Sequence, residues 1–466
     1  MASKKNLYLI FGAVAALLVL FSFVLLNQGV RIKWHSTEIE TNWLPGIESI
    51  NSMHLAINNY RATEISHAMA NEGSLKSEYS QTLSYFTKEF LEGKAKYEPT
   101  IRPYALKEIA LWKQYIKNYE DYMTASKQAI VMSQNNDNAK ALNQIKSNQD
   151  LYDSVIEYAQ MLVDLNTTAG YEEAKNGNQA YESAKMQLLV GLIIISISLI
   201  TIAFLLSSGA IKQQESQAVS KIRKNITLIF LTLILVNIAY GFLTYQQLSS
   251  VNEQINQLKN KWLPSIVTIN AISTKAIGYG IYQTLSLVTT NSDEKAQLEN
   301  SRKWITEEVV NLRKKFSAMI SSDVERELYN EFSISFDEYS LTTKKIEEFS
   351  HRNEMDKALI ENDQSAILKE DFSAMLTDLL RMNERGAIAT SYKNDAALES
   401  LKIITLGGIS FIVLLLIITS QLVVSWLFDE AQAQDTRFEN NSKTTLTIKV
   451  KLRLVFFWHA RRIYFI

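Results

Sequence analysis

The sequence predicts an all-α membrane protein with four transmembrane helices and two extracytoplasmic antiparallel four-helix bundles. Three observations indicate this fold class: four apolar segments without charge, helical periodicity between them, and an internal repeat. Only 4 prolines and 15 glycines occur in 466 residues, too few to punctuate a strand-rich fold. Because the chain has no cysteine, disulfides, thiolate zinc sites and a cysteine nucleophile are excluded.

Each uncharged segment is long enough to cross a bilayer, because a helix needs about 20 apolar residues to span the hydrocarbon layer. The first exceeds the roughly 7–15 apolar residues of a signal peptide, so we expect an uncleaved anchor. None contains Asp, Glu, Lys, Arg or His, which argues against a transporter or pump. The uncharged segments are 6–26, 187–207, 226–245 and 403–428. The first transmembrane domain, 1–26, adds a short cytoplasmic tip to the first of these segments.

The distribution of charge predicts the topology. The N-terminus, the loop 208–225 and the tail 429–466 carry an excess of Lys and Arg, whereas the long segments 27–186 and 246–402 carry an excess of Asp and Glu. The positive-inside rule then places both termini and the basic loop in the cytoplasm and the two long segments outside it.

The tail differs from the rest of the chain. Residues 447–454 alternate with a period of two, and the end is rich in Phe, Trp, Tyr and Arg. Two interpretations stay open: an altered reading frame, or a basic and aromatic segment that lies on anionic membrane lipid.

An internal repeat organises the chain. Trp-Leu-Pro-Gly-Ile-Glu-Ser-Ile-Asn at 43–51 returns as Trp-Leu-Pro-Ser-Ile-Val-Thr-Ile-Asn at 262–270. The offset between equivalent residues is 219 here and 217 at Asn166 and Asn383. We therefore describe residues 27–186 and their spans as copy 1, and residues 246–402 and their spans as copy 2.

Each copy begins with a helical seam, in which selected residues alternate at spacings of three and four. Three breaks follow in each copy, and three breaks predict four helices. The breaks lie near 71–73, 98–103 and 135–138 in copy 1, and near 290–293, 321–323 and 351–353 in copy 2. The seam of copy 1 comprises Ile47, Ile50, His54, Ile57, Arg61, Glu64 and Ala68; that of copy 2 comprises Ile266, Ile269, Ser273, Ala276, Gly280, Gln283 and Leu287.

The Trp-Leu-Pro-x-Ile-x-x-Ile-Asn element after an N-terminal anchor, and Asp164-Leu165-Asn166 before small residues and a second span, resemble the periplasmic four-helix-bundle sensor domain of methyl-accepting chemotaxis receptors. The resemblance covers both copies, to about residue 428. In that family the second span leads into a HAMP linker and a cytoplasmic signalling hairpin, and neither the loop 208–225 nor the tail is long enough to hold these.

The resemblance implies a chemoreceptor-like protein of the bacterial inner membrane that senses a periplasmic small molecule or binding protein. It also implies a homodimer, or association with a receptor or kinase. The alternative is a non-catalytic scaffold or adaptor that pairs with a full-length receptor or kinase.

Arg61 is the first candidate ligand-binding residue, because a guanidinium on the seam can bind a carboxylate through two hydrogen bonds. The alternative is an ion pair on the helix surface with Glu64, three residues later. The equivalent position in copy 2 is Gly280, so such a site is not duplicated.

Asn51 and Asn270 are further candidates, since a polar residue beside a seam can bind a ligand or fix helix register; the alternative is exposure to solvent. Trp43 and Trp262 are expected to pack in a core rather than stack on a ligand. Pro45 and Pro264 are expected to kink or restart a helix, because proline removes one backbone hydrogen bond.

The sequence contains no pattern that indicates catalysis, a cofactor or a bound metal. His35, His54, His67 and His351 lack the spacing of metal ligands. No Gly-rich phosphate loop follows a strand and the external segments are acidic, so nucleotides and nucleic acids are not expected partners. Membrane lipid is the one partner that composition itself implies.

Overall fold

The computed structural model describes residues 4–211, 217–289, 291–352 and 354–441. The alternating tail segment and the end of the chain lie outside these residues, as does the centre of the basic loop. Throughout the described ranges the regular structure is helical, which confirms the predicted all-α class. The α-helices are α1 (Lys4–Glu38), α2 (Leu44–Met69), α3 (Gly73–Tyr97), α4 (Leu106–Gln134), α5 (Asn138–Ser147), α6 (Gln149–Ile211), α7 (Gln217–Gln257), α8 (Leu263–Val288), α9 (Ser292–Ser317), α10 (Asp323–His351) and α11 (Met355–Asn441).

The helix ends fall at the six breaks that the sequence predicts. Copy 1 has one additional break, at Asn148, which separates α5 from α6. The backbone N–H of Asn148 bonds to the carbonyls of both Gln144 and Ile145, at 3.0 and 3.2 Å, and asparagine is among the weaker helix-forming residues.

A π-helical turn precedes each proline: Ile39–Trp43 leads into α2, and Leu258–Trp262 leads into α8. Both α-helices begin one residue before their proline. The backbone N–H after each turn bonds five residues back, from Leu44 to Ile39 and from Leu263 to Leu258. Proline cannot donate a backbone hydrogen bond, and the wider turn accommodates this locally.

Among the described residues, four helices are long and apolar enough to cross a membrane, which fits a membrane protein. They lie within Lys5–Met69, Gln149–Ser207, Ser220–Leu287 and Ile360–Trp426.

The described residues of 4–33, 178–253 and 394–441 form one compact unit. Its core contains Phe11, Leu18, Leu199 and Phe230, while large side chains such as Phe204 stay exposed, as expected of a surface that faces lipid. The buried amide of Asn237 donates to Ser196 Oγ at 3.2 Å, which ties the last span of copy 1 to the first span of copy 2.

Residues 34–177 and the described part of 254–393 form a second unit, so the segments expected as two separate domains cluster together. The first helices of the two copies, α2 and α8, pack along each other. Ile281 and Leu285 of α8 join the main apolar core of copy 1, and Phe332, Phe336 and Phe372 form the centre of copy 2.

Replacement of Phe90 by Ala tests the core of copy 1. The ring is fully buried and stacks on Tyr119 with centroids 3.6 Å apart, so we expect a loss of about 3–5 kcal/mol in unfolding free energy. The measurement is thermal unfolding in detergent. Tyr85→Ala, at a ring that is 54% exposed, is the control and should change stability by less than about 0.5 kcal/mol; equal losses in the two variants would contradict this core.

Candidate functional site

Equivalent tyrosines join the first and third helices of each bundle. Tyr60 of α2 and Ser126 of α4 share a buried hydrogen bond of 3.1 Å. In copy 2, Tyr279 of α8 and Thr343 of α10 share one of 2.7 Å. The repeat therefore extends from sequence to the polar contacts inside the two cores.

A second duplicated contact pairs a buried carboxylate with an asparagine on the last helix. In copy 1, Asn166 donates to Glu108 Oε1 at 3.4 Å, and the Tyr97 hydroxyl donates to the same oxygen at 2.7 Å. Burial raises the pKa of Glu108.

In copy 2, Asn383 donates to Glu325 Oε1 at 3.0 Å, and the backbone N–H of Ser321 donates to Glu325 Oε2 at 2.9 Å. Phe316 stands where copy 1 has Tyr97. The two copies thus retain the carboxylate–amide pair and give the carboxylate different third partners.

Arg61 lies at the centre of copy 1 and is fully buried, as is Glu64. Its guanidinium donates to Glu64 Oε2 at 3.1 Å, to the carbonyl of Ile145 at 2.8 Å and to Gln149 Oε1 at 2.9 Å. Its Cζ atom lies 5.3 Å from the ring centroid of Tyr152, a cation–π distance. The ion pair that the sequence left as an alternative is therefore present, in the core rather than on the surface, and ligand binding by Arg61 stays a prediction.

Asn51 and Asn270 are also buried, with exposures of 9% and 6%. The side-chain nitrogen of each is buried without a hydrogen-bond partner within the described ranges. The alternative of solvent exposure does not hold for either residue; their part in ligand binding or helix register stays a prediction.

The tryptophan and proline positions lie where the two copies meet. Trp43 and Trp262 belong to one apolar cluster with Ile47 and Ile266. Trp262 donates from Nε1 to Thr390 at 2.8 Å, and its ring lies against Gly386 so closely that a Cβ there would clash. Pro45 and Pro264 are half-buried in the first turns of α2 and α8.

His54 lies in the seam of α2 and is 1% exposed. Burial, and then the positive charge of Lys275 on α8, lower the pKa of His54 to about 4. The imidazole is thus neutral at physiological pH, and its environment includes a charge from the other copy.

The other histidines that the structure describes have ordinary hydrogen-bond or ion-pair partners. His35 lies 2.6 Å from Glu173, and His67 lies 2.8 Å from Ser133 Oγ. The ligand atoms of His351, Glu299 and Glu347 lie within 4.8 Å of one another. Because Arg302 Nη2 is 2.9 Å from Glu347, a cation already occupies this cluster, and we assign no metal to it.

The polar residues that sequence reasoning missed are Glu108, Glu325, Arg302 and Lys369. The repeat contained a signal for the first two, since they share the offset of 217 with the Asn166–Asn383 pair. Arg302 and Lys369 lie on different helices from the seam, and no short sequence pattern joins them to it.

Replacement of Arg61 by Met tests whether the guanidinium is structural. It leaves the Glu64 carboxylate buried without its cation, so we expect a loss of about 3–5 kcal/mol. The double variant Arg61→Met/Glu64→Met should recover most of it, because both charges are then removed. Thermal unfolding at pH 7 is the measurement. The control is Arg352→Met, which breaks an exposed ion pair with Glu348 and should cost about 0–0.5 kcal/mol; an Arg61 variant no less stable than this control would refute a structural pair.

A family model described as a four helix bundle sensory module for signal transduction matches residues 2–181 and 219–398. A curated relative, named "Putative sensory transducer protein YvaQ" of Bacillus subtilis (strain 168), is 24% identical over 169 residues, which are 36% of this chain and 29% of the relative. The chain thus spans 29% of that relative's length. No solved structure matches the chain. The family match and the curated relative confirm the resemblance expected from the Trp-Leu-Pro motif. Since the family model covers most of both copies, the chain belongs to the family of four-helix-bundle sensory modules for signal transduction and contains two of them in tandem.

Proposed function

We propose that the chain is a chemoreceptor-like sensory protein of the bacterial inner membrane, with both termini in the cytoplasm. Its bundles sense a small molecule or a binding protein outside the cytoplasm, and the response crosses the membrane as a helix displacement. The observation that carries this proposal is helix continuity: α6 (Gln149–Ile211) and α11 (Met355–Asn441) each contain both the last bundle helix of a copy and the span that follows it.

Continuous helices make the coupling mechanically direct. A ligand that binds one packing of the bundles better than another shifts their populations. Packed helices typically move by about 1–2 Å in such transitions, and a helix without a break transmits the displacement along its axis.

We further propose that the paired sensory unit forms within one chain. The packing of α2 against α8 supports intramolecular pairing over the homodimer that the family resemblance implied. Lys146 of copy 1 and Glu294 of copy 2 form an ion pair of 3.2 Å, which supports the same arrangement. Output passes to an associated receptor or kinase, the class of partner we propose.

Crosslinking tests the intramolecular pairing. The protein has no natural cysteine, so the two cysteines introduced by Lys146→Cys/Glu294→Cys can be joined with a short bismaleimide. A protease site inserted in the loop between α6 and α7 then allows the crosslinked chain to be cut into two halves. We expect the cleaved halves to stay together at the mass of one chain, 53.1 kDa. Each single-cysteine variant is the control and should separate into halves. A crosslinked sample that is left uncleaved distinguishes the two arrangements, because an intermolecular pair would then give a product of twice the mass of one chain and an intramolecular pair would not.

Spin labels test the transmembrane coupling without a known ligand. Labels at positions 185 and 402, introduced on a ketone-bearing amino acid, report the distance between α6 and α11 beside their apolar segments. We expect the Lys146–Glu294 crosslink to shift this distance distribution by about 1–2 Å. Single-cysteine variants treated with a monofunctional maleimide are the control, and a distribution that the crosslink leaves unchanged would argue against the coupling.

A further inference from the structure

The two copies differ at the centre of their polar cores. Gly280 stands at the position of Arg61, and Gln283 at the position of Glu64. On the last helix, Lys369 stands at the position of Tyr152. Copy 2 has thus lost the carboxylate of copy 1 and has a cation on a different helix.

Copy 1 fills this position with its own anion. Glu64 Oε2 accepts from Arg61 Nη1 at 3.1 Å and from the Tyr122 hydroxyl at 2.8 Å. All three side chains are fully buried. At this position of copy 1, the charges of Arg61 and Glu64 therefore balance.

In copy 2, two of the corresponding side chains, Tyr339 and Lys369, come together at Gly280 without that anion. A Cβ placed on Gly280 would lie 2.6 Å from the Tyr339 hydroxyl and 3.9 Å from Lys369 Cδ, so these two side chains meet over the glycine. Tyr339 occupies the position of Tyr122, yet its hydroxyl makes no hydrogen bond within the described part of the chain. Gln283 is 2% exposed, and its Nε2 is buried without a partner among the described residues.

Unlike those of copy 1, the charges of the described residues around this position of copy 2 do not balance. Arg302 is 4% exposed; it bonds to Gln283 Oε1 and lies 2.9 Å from Glu347, which neutralises it. Lys369 is half-buried and forms no ion pair with any residue that the structure describes. Burial lowers the pKa of Lys369 to about 8, as expected of a cation without a counterion.

We propose that copy 2 binds the carboxylate of a small organic acid between Lys369, Tyr339 and Gln283, at the position where copy 1 places Glu64. The ammonium, the hydroxyl and the amide N–H groups are all donors, and carboxylate oxygens accept such bonds well. A carboxylate carries the single negative charge that the unpaired cation requires. Because Glu64 fills the equivalent position of copy 1, each chain binds one such anion.

This site rests on the proposed sensory function, for which it supplies the class of ligand. The experiment uses the full chain in lipid nanodiscs, with sodium acetate, L-malate and L-glutamate as probes and sodium chloride at matched ionic strength as the reference. We expect at least one carboxylate to raise the Tm of the wild type and to bind with a stoichiometry of one per chain by calorimetry.

Lys369→Met should weaken that binding at least about tenfold, because a charged hydrogen bond is lost, whereas Lys369→Arg should retain it. The Tm of the ligand-free Lys369→Met protein should rise at pH 7, since the cost of burying the charge is present below pH 8 and is removed with the charge. A lysine with a purely structural role would lower the Tm when replaced. Lys140→Met, at an exposed lysine, is the matched control.

Gln283→Glu installs the carboxylate of copy 1. It should stabilise the ligand-free protein and abolish the response to added carboxylates, because the position is then filled internally. A wild type that responds to none of the three acids, or a response as large as that of the wild type in either Lys369→Met or Gln283→Glu, would overturn the proposed site. The spin-label experiment does not use these probes, so it tests transmembrane coupling separately.

Discussion

The lateral packing of α2 against α8 is the contact on which the bundle unit depends. Each helix contributes one seam, and the copy 1 core is completed by Ile281 and Leu285 of copy 2. Because both helices belong to one chain, their association is intramolecular, and its effective concentration is set by the covalent connection rather than by the expression level. A chain of this kind can therefore hold two different sensory surfaces in a fixed pair, which a symmetric homodimer cannot do.

The two cores show which polar contacts the fold requires and which it tolerates. A carboxylate–amide pair occurs in each copy, as Glu108–Asn166 in copy 1 and Glu325–Asn383 in copy 2. A buried carboxylate without such partners would be costly. By contrast, the residues at the positions of Arg61, Glu64 and Tyr152 differ in copy 2, while the three helix breaks that the copies share are retained. Similar helix breaks around altered charges are the arrangement expected when one copy maintains the scaffold and the other is free to bind a ligand at this position.

Much of this fold follows from the sequence because its signals are local. The spans are read from uncharged apolar runs, and the helix ends from Gly, Asn, Ser and Pro. The break at Asn148 was missed, since one asparagine inside a helical pattern is a weak signal. Periodicity placed Asn51 and Asn270 beside the seam but could not decide their burial, which depends on the helix packed against them. Arg302 and Lys369 were missed for the same reason: their importance arises only when α9 and α11 bring them to Gly280 and Gln283.

The π-helical turns determine how a segment of this protein can be exchanged with another receptor. An α-helix advances about 100° per residue, and each turn, Ile39–Trp43 and Leu258–Trp262, contains one residue more than an α-helical turn. A fusion joined at Glu38 by straight α-helical geometry would therefore rotate the seam of α2 by about that angle. His54, Ile57 and Arg61 would then face the wrong neighbours although every residue of the bundle was present. Hybrid receptors built from this chain must carry the complete block from Ile39 to Pro45 as a single cassette.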